Sequence, residues 1–220
     1  MLNDAHARID APQNRERRFA AGLLRDAAGA SAVEFALLLP VMMILLVGMA
    51  ELSHAVDNWR KVTLLARTVA DLTSQGDSTD PIATATMADI MSSSASVLRP
   101  FPTGNVSLVV SAMGVDSKAS LTSPRVCSSY ASSKATPRAV GVATDLTIPA
   151  GSSTNGSRYV LAEVSVPYAP MMGPALTRVI KGIVTPTLRS SVFWPVRNGV
   201  AHNSASNSPE VVMPGGSPCP

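Results

Sequence analysis

Residues 27–50 read AAGASAVEFALLLPVMMILLVGMA, and the only charged side chain among them is Glu34. About 20 apolar residues, each rising roughly 1.5 Å in a helix, cross a hydrocarbon core of about 30 Å, so this stretch is long enough to span a bilayer once. Pro40 and Gly48 do not spoil the pattern, because membrane helices tolerate both better than water-soluble ones do. Pro40 lacks an N–H and removes one ladder bond, which predicts a bend near it. The span itself is expected at residues 30–50. A secretory signal peptide is the natural competitor, but its apolar run is shorter and stops at a small-residue cleavage motif. Here the run is longer and passes directly into an amphipathic helix.

The flanks orient the span. Arg8, Arg15, Arg17, Arg18 and Arg25 precede it in a polar tail at 1–29 that also carries Asp4, Asp10, Glu16 and Asp26. Beyond it stand Glu51, His54 and Asp57 before the first base, Arg60. Lys and Arg close to a span stay on the cytoplasmic side, so the N-terminus is expected inside and residues 51 onward outside. The whole chain has 220 residues, enough for one moderate domain with tails. Only 15% of its residues are charged, and 46% are hydrophobic, more apolar than the average soluble protein. A net charge of +3 could suggest nucleic acid, but the bases are scattered and aromatics make up only 4%, so no basic stripe with stacking platforms exists.

Leu52, Ala55, Val56, Trp59, Val62, Leu65, Ala66, Val69 and Leu72 recur at steps of three and four, which draws one apolar stripe along a helix. The helix is read as continuous from about Ala28 to Ser74, with Gln75, Gly76 and Asp77 as its stop. The stripe is expected to pack mainly on its own domain, with a subunit interface as the second reading. Residues 84–98 suggest a short second helix. Val106–Met113, Tyr159–Val166 and Leu188–Trp194 read as strands, alternating or β-branched and bounded by Gly, Pro or Ser. The expected fold is α+β: a transmembrane helix continuing into an amphipathic one, packed on a small antiparallel sheet. The extracytoplasmic domain is placed at 51–198. Within it, residues 114–157 read as a Ser/Thr/Ala/Gly-rich surface insertion with an extra strand suggested at Asp145–Pro149. Residues 199–220 read as a mobile tail, since Pro and Gly block regular structure there.

Two cysteines, Cys127 and Cys219, are too far apart and too few for a CxxC-type metal or redox site. In an exported, oxidising setting they can form a disulfide; the competing reading is two unrelated thiols. The three histidines, His6, His54 and His202, make no metal constellation. GxSxG, GxxxxGK and HExxH patterns are absent, so the chain is expected to be no enzyme and to need no cofactor, metal or small-molecule substrate. Glu51, Asp57 and Asp71 could imitate a paired-acid site, but a solvated polar helix face explains them better.

One motif remains. Gly29 ends the charged tail and is followed by Ala30, Ser31, Ala32, Val33, Glu34 and Phe35. This resembles the processing site of type IV prepilins, in which a membrane peptidase cuts after the glycine and glutamate becomes the fifth residue of the mature chain. On that resemblance Gly29 and Ala30 flank the cut, while Glu34, with Phe35 beside it, sets assembly register. The physics agrees with a special role, because a carboxylate inside the hydrocarbon costs several kcal/mol unless it finds water or a partner. A freed α-amine on a neighbouring subunit would serve; snorkelling to water or to Arg25 is the plainer alternative. The stretch at 29–56, GASAVEFALLLPVMMILLVGMAELSHAV, followed by ARTVADLTSQ at 66–75, resembles the TadE group of pseudopilin-like proteins from tight-adherence pilus systems. The likeness is dense over 26–75; YVLAEVSVPYAPM (159–171) and TLRSSVFWPVRNG (187–199) are similar in style to that group's later strands. One departure is the length of the leader, 29 residues. The resemblance implies a minor pilin or pseudopilin in a bacterial inner membrane, partnered by other pilin-like subunits, the pilus or secretion assembly machinery and a prepilin peptidase. The alternative function is a single-pass envelope protein with an outer binding domain, neither processed nor polymerised.

Overall fold

The computed structural model describes residues 27–77, 81–116, 123–173, 186–203 and 207–220. Most of the expected cytoplasmic tail, Arg25 included, lies outside them. The chain divides into two units, Met1–Ala50 and Glu51–Pro220. The elements are α1 (Ala27–Ser74), α2 (Thr84–Ser92), α3 (Ser94–Val97), β1 (Ser107–Gly114), β2 (Arg125–Ala131), β3 (Gly141–Val142), β4 (Arg158–Pro167) and β5 (Thr187–Pro195). The helix expected at 84–98 is thus two short ones, parted at Ser93.

In the first unit, α1 keeps helical structure through Pro40. Its most apolar window has a mean hydropathy of 2.4 and none of it is buried. The core helix of a soluble protein would be mostly covered, so an apolar stretch this long and this bare calls for lipid or other helices around it.

In the second unit, α1 ends where the sequence says it should. Gln75 and Gly76 N–H groups bond the Leu72 and Thr73 carbonyls at 3.3 and 3.1 Å, with Gly76 at φ +68°, a left-handed position that glycine takes without strain. Arg197 and Asn198, just past β5, donate their N–H groups to the Ser74 carbonyl at 3.0 and 3.2 Å and so satisfy an end that the helix leaves open.

The five strands form one antiparallel sheet in the order β3-β2-β1-β4-β5. Register puts Leu108 opposite Val164, Val110 opposite Ala162 and Ala112 opposite Val160, so one face of the pleat is apolar along its length. Against that face lie Val62, Leu65, Ala66 and Val69 of α1 and Met87, Ile90 and Met91 of α2, all in one cluster. The stripe on α1 therefore divides: it is buried from Val62 to Val69, with Leu72 partly covered, while Leu52, Val56 and Trp59 stay exposed at 66%, 38% and 55%. Met113, Tyr159 and Leu161 point to the other face and are covered by Val115, Val126, Ala143, Leu146 and Ile148 in a second cluster.

Two expectations need correction. The stretch 114–157 is not only a surface insertion. It contributes β2, which pairs with the interior strand β1 from Val109↔Ala131 to Gly114↔Arg125, and the short edge strand β3. Ser–Ser pairing hides it: the Ser111 and Ser129 hydroxyls meet at 2.9 Å where a strand signature would show β-branched residues. Asp145–Pro149 is not a strand; Leu146 and Ile148 serve instead as a lid on the second cluster.

The second correction concerns 199–220, expected as a mobile tail. Residues 207–220 form a strap packed into the domain, with Val211, Val212 and Met213 at most 3% exposed. Its backbone is engaged at three places: Val200 and Glu210 form a bridge, the Val212 carbonyl accepts the Ile82 N–H at 2.9 Å, and the Met213 N–H reaches the Ser128 Oγ at 3.0 Å. Pro and Gly prevent regular structure there but do not prevent burial.

Candidate functional site

Three places combine functional residues with distinctive geometry. The first is the start of the apolar helix. Gly29, Ala30, Glu34 and Phe35 all lie in α1 and all are exposed, Phe35 at 61%. Among the described residues Glu34 makes no ion pair or hydrogen bond. Nothing lies within 4 Å of a Cβ built on Gly29 or Gly48. Gly48 and Ala50 leave the helix surface low, so another helix can approach closely there, as small residues permit in lipid.

The second place lies immediately beyond the span. Glu51 is not simply part of a solvated polar face, as its position on the helix suggests: its carboxylate holds the connection after β4. It accepts the Tyr168 hydroxyl at 2.5 Å and the Met171 and Met172 N–H groups at 3.2 and 3.3 Å. Partial burial works against its charge, but the bonds from Tyr168, Met172 and Met171 and the nearby His54 outweigh that and hold its pKa below the usual 4.5. Burial, then the same carboxylate, push the Tyr168 phenol well above its ordinary value. His54 rests edge-on against Phe101, with ring centroids 4.9 Å apart, and its Nε2 lies 3.3 Å from the Ala169 carbonyl. Lys61 sits over the Phe101 ring at 5.3 Å and donates to the Arg99 carbonyl. The other two helix acids have simpler partners, Arg197 at 3.1 Å for Asp71 and Lys61 at 3.9 Å for Asp57. The three acids do not converge.

The third is the clasp on the strap. Cys127 and Cys219, 92 positions apart in sequence, are joined in a disulfide. Cys127 sits where the β1–β2 register slips between Ala112 and Met113, and a bulge there turns one extra residue out of the ladder. Gly114 makes room, since a Cβ on it would stand 2.9 Å from the Cys219 sulfur and 2.8 Å from Arg158 Nη1. Beside the disulfide, the Arg158 and Glu210 side chains are 1% and 3% exposed and pair at 3.7 Å, too long for a hydrogen bond. Asp116 reaches Arg158 at 3.3 Å, and the Cys219 N–H donates to Glu210 Oε2 at 2.9 Å. A buried pair like this punishes loss of one partner more than it rewards the pair.

On the outer sheet face a groove of about 570 Å³ is lined by Ser107, Arg138, Glu163, Ser165, Arg189 and Ser191, among others. The Glu163 carboxylate takes both Arg138 Nε and Nη2, at 2.5 and 2.7 Å, while Asp145 takes Nη1 at 2.8 Å. Those bonds, with Glu163 foremost, hold the guanidinium still more firmly protonated, and Arg138 keeps Asp145 below the usual carboxylate range. Arg189, across the groove, makes no such bond among the described residues. Nor do those residues contain a group of three His, Cys, Asp or Glu able to hold a metal ion.

The lone-acid helix and its outer continuation are the part with a known likeness. Residues 29–71 match the family model of TadE-like proteins. The TadE-like stretch begins at Gly29, takes in Glu34 and the whole apolar run, and ends at Asp71, one turn short of the helix stop. The sheet, the strap and the groove lie outside it. No curated protein and no solved structure matches the chain. Sequence reasoning missed Glu51 as a positioning group and Glu210 and Arg158 as a buried pair. Glu51 had one legible sign, an acid immediately after an apolar run, but its partners are more than 100 residues away.

Proposed function

We propose that this chain is a membrane-anchored structural subunit, a TadE-like minor pilin or pseudopilin that takes part in building a tight-adherence pilus or a related secretion apparatus, and that it is no enzyme. The observation that carries the reading is the coincidence of the TadE-like match with a bare apolar stretch, residues 27–50 of α1, whose only charge is Glu34. The arginine-rich tail supports an N-terminus in the cytoplasm and an outer domain beyond a bacterial inner membrane. Processing would cut between Gly29 and Ala30, leaving Glu34 one turn into the mature helix. A carboxylate there, paired with a neighbouring α-amine, penalises any axial slip because the slipped state leaves a charge alone in lipid. The span then packs side by side with other pilin-like helices through van der Waals contact.

Mass spectrometry of the N-terminus from cells that carry a prepilin peptidase tests this directly. A chain beginning at Ala30 is expected, and bulky substitutions at Gly29 should abolish the cut; an intact Met1 chain would remove the pilin reading. Glu34→Ala is expected to insert normally but to assemble poorly, and equal assembly would refute the register role. The groove beside Arg189 favours a second reading, an unprocessed envelope protein whose outer domain binds a ligand, and that reading predicts the intact chain.

A further inference from the structure

We propose that the connection after β4 rests on the lipid surface through Met171 and Met172, and that Glu51 is the positioning residue that holds it there. The inference depends on the membrane span of the functional reading above but not on pilus assembly. Glu51 is covalently next to Ala50, the last residue of the apolar run, so any group hydrogen-bonded to its carboxylate stands within a few ångströms of the span's outer end. Met171 and Met172 are such groups, bonded at 3.2 and 3.3 Å, and they are 53% and 38% exposed. Leu52, the next residue of α1, is 66% exposed as well. Three exposed apolar residues, Leu52 next in sequence and Met171 and Met172 through their N–H groups, are thus tied to Glu51, the first residue after the bare apolar run.

The backbone of this loop suits lipid contact. Peptide groups near hydrocarbon are costly unless bonded within the protein. Here the Tyr168 N–H goes to the Pro186 carbonyl at 2.9 Å, Met171 and Met172 go to Glu51, and the Gly173 N–H goes to the Pro170 carbonyl at 3.1 Å, while Pro170 has no N–H to satisfy. The Ala169 carbonyl faces His54. The Glu51 carboxylate has its own charge met inside the protein by the Tyr168 hydroxyl. The loop therefore offers flexible, unbranched methionine side chains outward and keeps the Tyr168, Met171, Met172 and Gly173 donors turned in, an arrangement that fits acyl chains at the headgroup boundary and does not need a shaped protein partner.

The ten methionines of the chain allow a test without a foreign probe. The full chain, labelled with ¹³C at the methionine methyls, is placed in phosphatidylcholine–phosphatidylglycerol nanodiscs with and without lipids spin-labelled near the headgroup, and resonances are assigned with Met171→Leu and Met172→Leu. Met171 and Met172 are expected to show relaxation enhancement several-fold above that of the buried Met113 and Met213. In Glu51→Ala their enhancement should fall toward that of Met213, with Met49 unchanged. If Met42, Met43 and Met49 are broadened while Met171 and Met172 behave like Met213, the loop proposal is overturned and the membrane span stands. If none of the span's methionines responds, the membrane reading fails and takes the proposal with it. Loop methyls that respond to protein concentration but not to labelled lipid would show a second copy on this surface and would also overturn the proposal.

Discussion

Cys219→Ser removes the one covalent tie between the strap and the sheet. The disulfide closes a loop of 92 residues, and in the chain-entropy account a loop of that size restricts the unfolded chain by about 4–5 kcal/mol at 25 °C. For a domain of roughly 150–250 residues each kcal/mol moves the midpoint by about 2–4 °C, so a fall of about 8–20 °C is expected. The packing of Val211, Val212 and Met213 remains, which keeps the strap docked in the cold but lets it open first on heating. The assay is near-ultraviolet circular dichroism of the full chain in micelles, with and without reductant. The wild type under reductant should unfold where Cys219→Ser does, and Cys127→Ser/Cys219→Ser should add nothing further. Limited proteolysis should cut the variant within 207–220 and spare the oxidised wild type. A variant that melts within about 2 °C of the wild type, or a wild type indifferent to reductant, would refute the clasp as the source of this stability.

Leu65→Ala, at a position 0% exposed between α1 and the sheet, should cost about 2–5 kcal/mol in urea unfolding of the outer domain, whereas Leu46→Ala, at 65% exposed, should leave that transition unmoved. The Tyr159 hydroxyl is buried without a hydrogen-bond partner among the described residues, so Tyr159→Phe should leave stability unchanged or raise it by up to about 1–2 kcal/mol. Burial also pushes that phenol up to about 12, so ultraviolet titration of the variant should lose one late-ionising tyrosine while that of Tyr168, raised further still, remains. Because the folded state depresses the Glu51 pKa below 4.5, its ionised form stabilises the loop contact above that value and the contribution disappears as pH falls through the lowered pKa. Denaturation midpoints taken between about pH 3 and 6 should therefore show a decline in the wild type that is shallower in Glu51→Ala.

The elements that the sequence determined by itself are those whose signal is local. The apolar run with one acid, the three-and-four stripe from Val62 to Val69 and the Gln75–Gly76 stop are each set by residues within a turn or two of one another, and the helix follows them closely. β1, β4 and β5 were legible for the same reason, since alternation along a strand is visible without its partner. The rest was decided by contacts across the chain. β2 reads as loop because its serines satisfy each other across the ladder, and that partner strand lies about 20 residues away. Nothing in 199–220 marks Val211 to Met213 as core, because the groove that buries them exists only once the sheet and α2 are in place. Glu51 reads as a solvent-facing acid and Glu210 falls within the expected tail for the same physical reason: a carboxylate's environment is set by the donors brought to it, and Tyr168, Met171, Arg158 and the Cys219 amide arrive only through tertiary folding.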